Sequence, residues 1–390
     1  MKTLESILEK SVIQILLLAL MVMVTYGHTL DVPFYLDDFS SIQENPVIYN
    51  WQGSLAELWQ FSALRIVGYL SFAWNYQWTQ FQVESYHLVN IIIHFLTGCA
   101  VLALLSRLMS TPRTQATVPQ WAQQWLPLVV ALIFVLHPLQ IQAVTYIVQR
   151  LASLAALFYI LAMLCFIQAR LTQNQSRSLL WILGCLIAAG LGFLTKQNTA
   201  TLPLALLLLE LLFFPSNRQR LLTISLFSVF MLAGVWLFLA FVFQKDLFSL
   251  AAMQALTRET TEISRTAYLA TQMKVLWTYI GLFFWPLSAH IDYDYPIING
   301  FLSPYTHYHL MARFLHSAAF LPLIGHLIVI TLGLFSVRRW PLLAFGILFY
   351  YLAHAVESSL IPIRDVIFEH RTYLPNLGLI IVCCWIILVV

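Results

Sequence analysis

A chain of 390 residues that is 60% hydrophobic and 9% charged, with a mean hydropathy of +0.80, cannot present a water-facing surface, so a soluble globular protein is excluded. The formal net charge of +3 gives no sign of a nucleic-acid partner, and the information lies in where the charges fall. All five cysteines sit inside apolar runs without a C-x-x-C or disulfide pattern, so the redox compartment is not legible from them.

A bilayer span needs about 20 mostly apolar residues. In chain order, candidate spans fall at 12–24, 87–108, 126–136, 151–168, 179–194, 199–214, 221–243, 317–336, 341–355 and 374–390. The first follows Lys2 and Lys10 but lacks a small-x-small cleavage site, so it reads as an uncleaved span. The sequence thus predicts a single all-α polytopic membrane domain over 1–390 with about ten transmembrane helices. Arg107, Arg113, Arg170, Arg177, Arg218, Arg220, Arg338 and Arg339 fall in short loops that contain no Asp or Glu, which makes that face cytoplasmic. The other face receives the external segments 27–86, 244–316 and 356–373, with nearly every acidic residue. This sorting requires the apolar stretch 275–287 to be a juxtamembrane or re-entrant helix, ended by Pro286. The last run reaches Val390 without a polar tail, as expected of a fragment.

Asp37 and Asp38 stand early in the first external segment. Adjacent carboxylates above a membrane can supply a general base and a partner that positions it; equally, Asp38 could cap a helix begun by the following Phe-Ser-Ser. Trp51, Trp59, Trp74, Tyr76 and Trp78, with Arg65 among them, fit either an interfacial belt or platforms for sugar rings. His87, Asn90 and His94 share one helical face, where hydrogen-bonded interior groups are the favoured reading over a metal pair. Arg150, Lys196 and Arg371 all fall at the outer boundary and point to an anion there, with a lipid phosphate the natural candidate. Arg371 could instead pair with Glu369 or Asp365. Glu210, inside an apolar run, is costly but far from these groups.

The stretches Leu-Asp37-Asp38-Phe, Trp74-Asn75-Tyr76, His87-Leu-Val-Asn90-Ile-Ile-Ile-His94, His137-Pro138 through Gln149-Arg150, Thr-Lys196-Gln-Asn198, Asp292-Tyr-Asp294-Tyr-Pro and Glu369-His370-Arg371-Thr-Tyr-Leu-Pro375 resemble, in order and spacing, the GT-C class of integral-membrane glycosyltransferases. More narrowly they resemble bacterial relatives of the transmembrane and tetratricopeptide-repeat O-mannosyltransferases. The resemblance implies a polyprenyl-phosphate-linked sugar as donor, a protein or glycan hydroxyl as acceptor, and a site facing the periplasm or exterior of a bacterial inner membrane. It implies a catalytic base on Asp37 or Asp38, and basic residues at the outer ends of later spans on the lipid phosphate. Two departures stand out: Gln197 occupies a position where Glu follows the Lys, and the family's soluble repeat domain does not follow Val390.

The expectation is therefore an inverting hexosyltransferase embedded in the lipid bilayer. Asp37, assisted by Asp38, takes a proton from the acceptor; Arg371, His370, Lys196 and Arg150 stabilise the departing phosphate. Arg65, Trp74, Tyr76, His87, Asp292 and Asp294 are the expected sugar or acceptor contacts. No cofactor is firmly implied, and a divalent cation stays compatible with the carboxylates. The alternative is a transporter or flippase of a lipid-linked saccharide, which would want broken helices at the bilayer midplane and repeated halves; a non-catalytic scaffold is a third reading.

Overall fold

The computed structural model describes residues 2–215, 218–243, 260–302 and 310–389. Within the second external segment, 244–259 and 303–309 lie outside the described residues, as does Val390. Every expected apolar run is helical, and the described residues contain no strand. The principal helices are α1 (Lys2–Tyr26), α2 (Ile66–Thr79), α3 (Val83–Met109), α4 (Gln120–Leu136), α5 (Ile141–Thr145), α6 (Arg150–Leu171), α7 (Gln175–Phe193), α8 (Leu202–Phe213), α9 (Arg218–Phe243), α10 (Arg265–Phe284), α11 (Phe320–Ser336), α12 (Pro341–His354) and α13 (Asn376–Val389).

Among the described residues, five helical segments are long and apolar enough to cross a membrane: Ser11–Thr29, Val83–Met109, Ile147–Leu171, Gln175–Phe193 and Leu222–Val242. A sixth arises if Gln120–Leu136 and Pro138–Thr145, bent by 59°, count as one span. The bend has a local cause. Pro138 has no N–H to continue the helix, and the His137 ring accepts from the Leu139 N–H at 3.2 Å, capping the next turn. Four further apolar helices, Gln197–Phe213, Phe320–Ser336, Pro341–His354 and Asn376–Val389, are shorter.

Burial in this bundle depends on small residues as well as large ones. α12 and α13 meet at Gly346 and Gly378, where a methyl on Gly346 would come within 2.7 Å of the Gly378 carbonyl oxygen. Gly98 of α3 likewise receives Val135 of α4. The bundle has two distinguishable poles. At one, Arg170 holds Glu210 through two bonds of 2.7 and 3.0 Å, and the Arg113 guanidinium donates to the last carbonyls of α8, Leu211 and Leu212. The buried carboxylate is thereby paired. At the other pole sit the first external segment, Lys196 and residues 355–373.

α10 begins well before the expected 275–287 helix and stops at Phe284, with Pro286 opening a separate turn. It lies along the second pole. Tyr268 donates to the Glu357 carbonyl, Gln272 to that of Val366, and Tyr279 to that of Phe368, while the His137 imidazole donates to the Phe283 carbonyl at 3.1 Å.

Candidate active site

Segment 137–150 is the spine of this pole. Its Gln140 and Gln142 reach segment 356–373, and its Tyr146 and Val148 reach segment 27–86. The Gln142 side-chain oxygen accepts from the His370 N–H at 2.7 Å and lies 3.0 Å from His370 Nδ1. Four residues on, the Tyr146 hydroxyl accepts from the Asp37 N–H at 2.8 Å, and the Val148 N–H donates to Asp38 Oδ1 at 2.7 Å. The two acidic residues and the Glu369–Thr372 turn are therefore fixed to one short piece of chain.

The carboxylates differ in surroundings. Asp38 is fully buried, and its second oxygen accepts from the Tyr35 N–H at 3.3 Å. It makes no side-chain cap to the following turn Phe39–Gln43, so the capping expectation fails: its acceptor capacity is taken by Val148 and Tyr35. Burial pushes its carboxyl up to about 7, against the lowering pull of the backbone N–H groups of Val148, Tyr35 and Ile147; the neighbouring Asp37 charge adds to the rise. Asp37 is exposed. Leu36 just before it has φ of 50°, a left-handed backbone that costs a non-glycine residue about 1–2 kcal/mol. The fixed Asp38 carboxylate and the stacked Tyr35 and Tyr146 rings, 4.8 Å apart, hold this turn in place.

Across the spine, three cations gather. Lys196 Nζ lies 2.8 Å from Glu357 Oε1, and the charges of Arg65 and Arg371 act on both Lys196 and His370. Burial lowers Lys196, offset by Glu357. Burial alone would raise Glu357, but Lys196 and Arg371 outweigh it and hold the carboxyl below its ordinary range. With Glu357 and the exposed Asp365 set against three cations, the cluster carries excess positive charge. Arg371 is buried, lies 5.7 Å above the Phe368 ring, and its Nη1 has no partner among the described residues.

The other two expected phosphate contacts sit in different surroundings. Arg150 is fully buried, and most of its donors are taken: Nε by Asn90 Oδ1 at 2.6 Å, Nη1 by Ser71, and Nη2 by the Tyr86 carbonyl at 3.0 Å. It fastens α2 and α3 to α6 and has little left for an anion. His370 is neutral rather than cationic, because burial and then the charges of Lys196, Arg371 and Arg65 push it down. Gln142 Nε2 is committed to the Ile291 carbonyl, so its Oε1 faces His370 and can only accept. His370 Nδ1 therefore carries the proton and Nε2 is a bare acceptor.

The expected sugar or acceptor contacts are dispersed. Arg65 joins the cations. His87 is fully buried and donates to the Val32 carbonyl at 2.8 Å, supporting the first segment from beneath. Trp74 is half exposed, and Tyr76 packs on Phe81 at 4.8 Å. Asp292 and Asp294 are exposed, whereas the tyrosines beside them turn inward: Tyr293 donates to Glu369, and Tyr295 meets Thr278 at 2.7 Å. His94 bonds Tyr373 and the Val135 carbonyl, apart from His87, and among the described residues no three His, Cys, Asp or Glu groups could hold a metal.

The structure also brings in residues that sequence reasoning passed over: Gln142, Tyr146, His354 and Glu357. The signal for the last two was there, a His and a carboxylate three apart at the end of an apolar run.

Comparison with known proteins agrees with the motifs. Over 189 residues, 45% of this chain, it is 30% identical to protein O-mannosyl-transferase TMTC2 of Mus musculus and equally to that of Homo sapiens. It is 24% identical over 180 residues, 43% of the chain, to protein O-mannosyl-transferase TMTC3 of Mus musculus. These matches cover 21% and 18% of the relatives, so the chain spans about a fifth of the length of the curated relatives it matches. No family model and no solved structure matches. What the comparisons show is a helical membrane protein that resembles the protein O-mannosyl-transferases over a little under half its length.

Proposed function

We propose that this chain transfers a sugar from a polyprenyl-phosphate carrier to a hydroxyl of a protein or glycan on the non-cytoplasmic face. The observation that carries the reading is the spine: residues 142–148 join an exposed carboxylate on a strained turn to a buried, positively charged turn with an unpartnered guanidinium nitrogen. Asp37 takes the proton of the acceptor hydroxyl as its oxygen attacks the anomeric carbon. The bond from that carbon to the phosphate oxygen breaks, and Arg371 and Lys196 receive the charge left on the lipid phosphate in a dry, prearranged setting. Asp38 orients the turn from below. Base and leaving group on opposite sides of the sugar would invert the anomeric centre.

In this reading all ten apolar helices span the bilayer in one domain, and segments 27–86, 244–316 and 356–373 form the outer roof. The contacts of α10 with Glu357, Val366, Phe368 and His137, at the pole that carries Asp37 and Arg371, support its placement there. Mannose as the sugar follows the names of the relatives. The test is transfer from a radiolabelled polyprenyl-phospho-mannose into cell-envelope acceptors. Asp37→Asn keeps the volume but removes the proton acceptor, and a loss of roughly 100- to 10,000-fold is expected with normal expression and melting. Full transfer by this variant would end the assignment, and donor translocation without transfer by wild type would favour a flippase.

A further inference from the structure

We infer that His354 and Glu357 bind hydroxyl groups of the donor sugar, beside the phosphate held by Arg371 and Lys196; this rests on the transfer reading above. His354 ends α12 and is 1% exposed, yet neither ring nitrogen has a partner among the described residues. A buried polar group left in this way loses about 1–3 kcal/mol, so such an imidazole calls for a ligand or water. The ring is held firmly: Tyr279 lies parallel to it at 5.3 Å and Tyr350 meets it edge-on at 4.9 Å. Tyr279 is itself pinned, donating to the Phe368 carbonyl and accepting from the Phe368 N–H.

Glu357 gives one oxygen to Lys196 and leaves Oε2 buried and unpartnered; Asn198 Oδ1, close in sequence to Lys196, is likewise unpartnered. Next to its cations the site thus presents surplus acceptors and one imidazole donor. A bare phosphate monoester dianion, which only accepts, would satisfy Arg371 but would be repelled by Glu357 Oε2 and by the unprotonated nitrogen of His354. Hydroxyl groups both donate and accept. The ligand chemistry that answers every unpartnered atom is an anion with hydroxyls attached close by, a sugar phosphate. Glu357 and Arg371 belong to one external loop, so phosphate and sugar contacts would be set together.

The experiment measures binding of farnesyl phosphate and farnesyl-phospho-mannose to the detergent-purified full chain. His354→Phe keeps the stacking on Tyr279 and Tyr350 and removes both nitrogens; about tenfold weaker binding of the sugar-bearing probe is expected, with farnesyl phosphate unaffected. Glu357→Gln covers the case in which the phenylalanine variant does not fold: without the carboxylate beside Lys196, farnesyl phosphate should bind as tightly or more tightly while the sugar-bearing probe weakens. Equal affinity of wild type for both probes, or variants that weaken both equally or neither, would overturn the inference and leave buried water as the partner of His354. Failure of the transfer reading looks different: wild type would then bind neither probe, or would bind and translocate the sugar-bearing probe without transferring its sugar.

Discussion

Arg150 and Arg371 are both buried guanidiniums at the same pole, and they differ in how completely the protein satisfies them. Arg150 donates to Asn90, Ser71 and Tyr86 and rests 4.5 Å from the centre of the Phe72 ring. Arg371 has a ring contact at 5.7 Å and a nitrogen with no partner among the described residues, beside two more cations. A buried charge costs several kcal/mol unless its hydrogen bonds are met. Arg150 therefore belongs to the framework, whereas Arg371, although the groups around it outweigh its burial and favour the cation, keeps hydrogen-bonding capacity unfilled. The comparison shows that a buried cation alone is weak evidence for an anion site, and that unfilled hydrogen-bonding capacity is the better guide.

The contrast breaks most visibly at Arg150. Arg150→Met retains volume but strands the Asn90 oxygen and the Ser71 and Tyr86 carbonyls, and a loss of about 3–5 kcal/mol is expected, seen as a large drop in melting temperature in detergent. Arg371→Ala relieves repulsion with Lys196 and Arg65, so its melting should stay near wild type while kcat/KM for the lipid donor falls roughly tenfold or more, equivalent to about 1.5–3 kcal/mol. Arg371→Lys should recover only part of this, because an ammonium cannot form the guanidinium fork. A stable, donor-defective Arg150 variant together with an unfolded Arg371 variant would reverse the assignment of the two roles.

Much of the helical plan was legible because apolar runs of this length have few other solutions, and each expected run is a helix. The Asp37–Asp38 pair and the turn at 369–371 were legible as polar residues at the ends of such runs. Their partners were not. The bond from Tyr146 to Asp37 joins residues 109 apart, and that from Gln142 to His370 joins residues 228 apart, and no local pattern encodes either. Arg150 misleads for the same reason. Its position at a helix start matches that of a phosphate ligand, and only the approach of Asn90, Ser71 and Tyr86 takes most of its donors. His354 and Glu357 escape notice because α12 reads as an ordinary apolar helix until its last turn.

Asp38 lies between these two kinds of site, since it is buried and hydrogen-bonded yet holds its proton up to about pH 7. The sign follows from linkage. In the unfolded chain the carboxyl ionises in its ordinary range near pH 4, whereas in the fold it keeps the proton until about 7. Between those values the native state binds more protons than the unfolded one, so this group's stabilisation is complete below pH 4 and is lost as pH rises toward 7. Each pH unit in that window is worth about 1.4 kcal/mol at most. An asparagine at this position has no such proton to lose. Melting of wild type should therefore fall more steeply than that of Asp38→Asn between pH 5 and pH 7, and the two curves should run parallel above pH 8. Parallel curves throughout would mean that the backbone N–H groups of Val148 and Tyr35 keep the carboxylate charged, and Asp38 would then join Arg150 as a fully satisfied part of the framework.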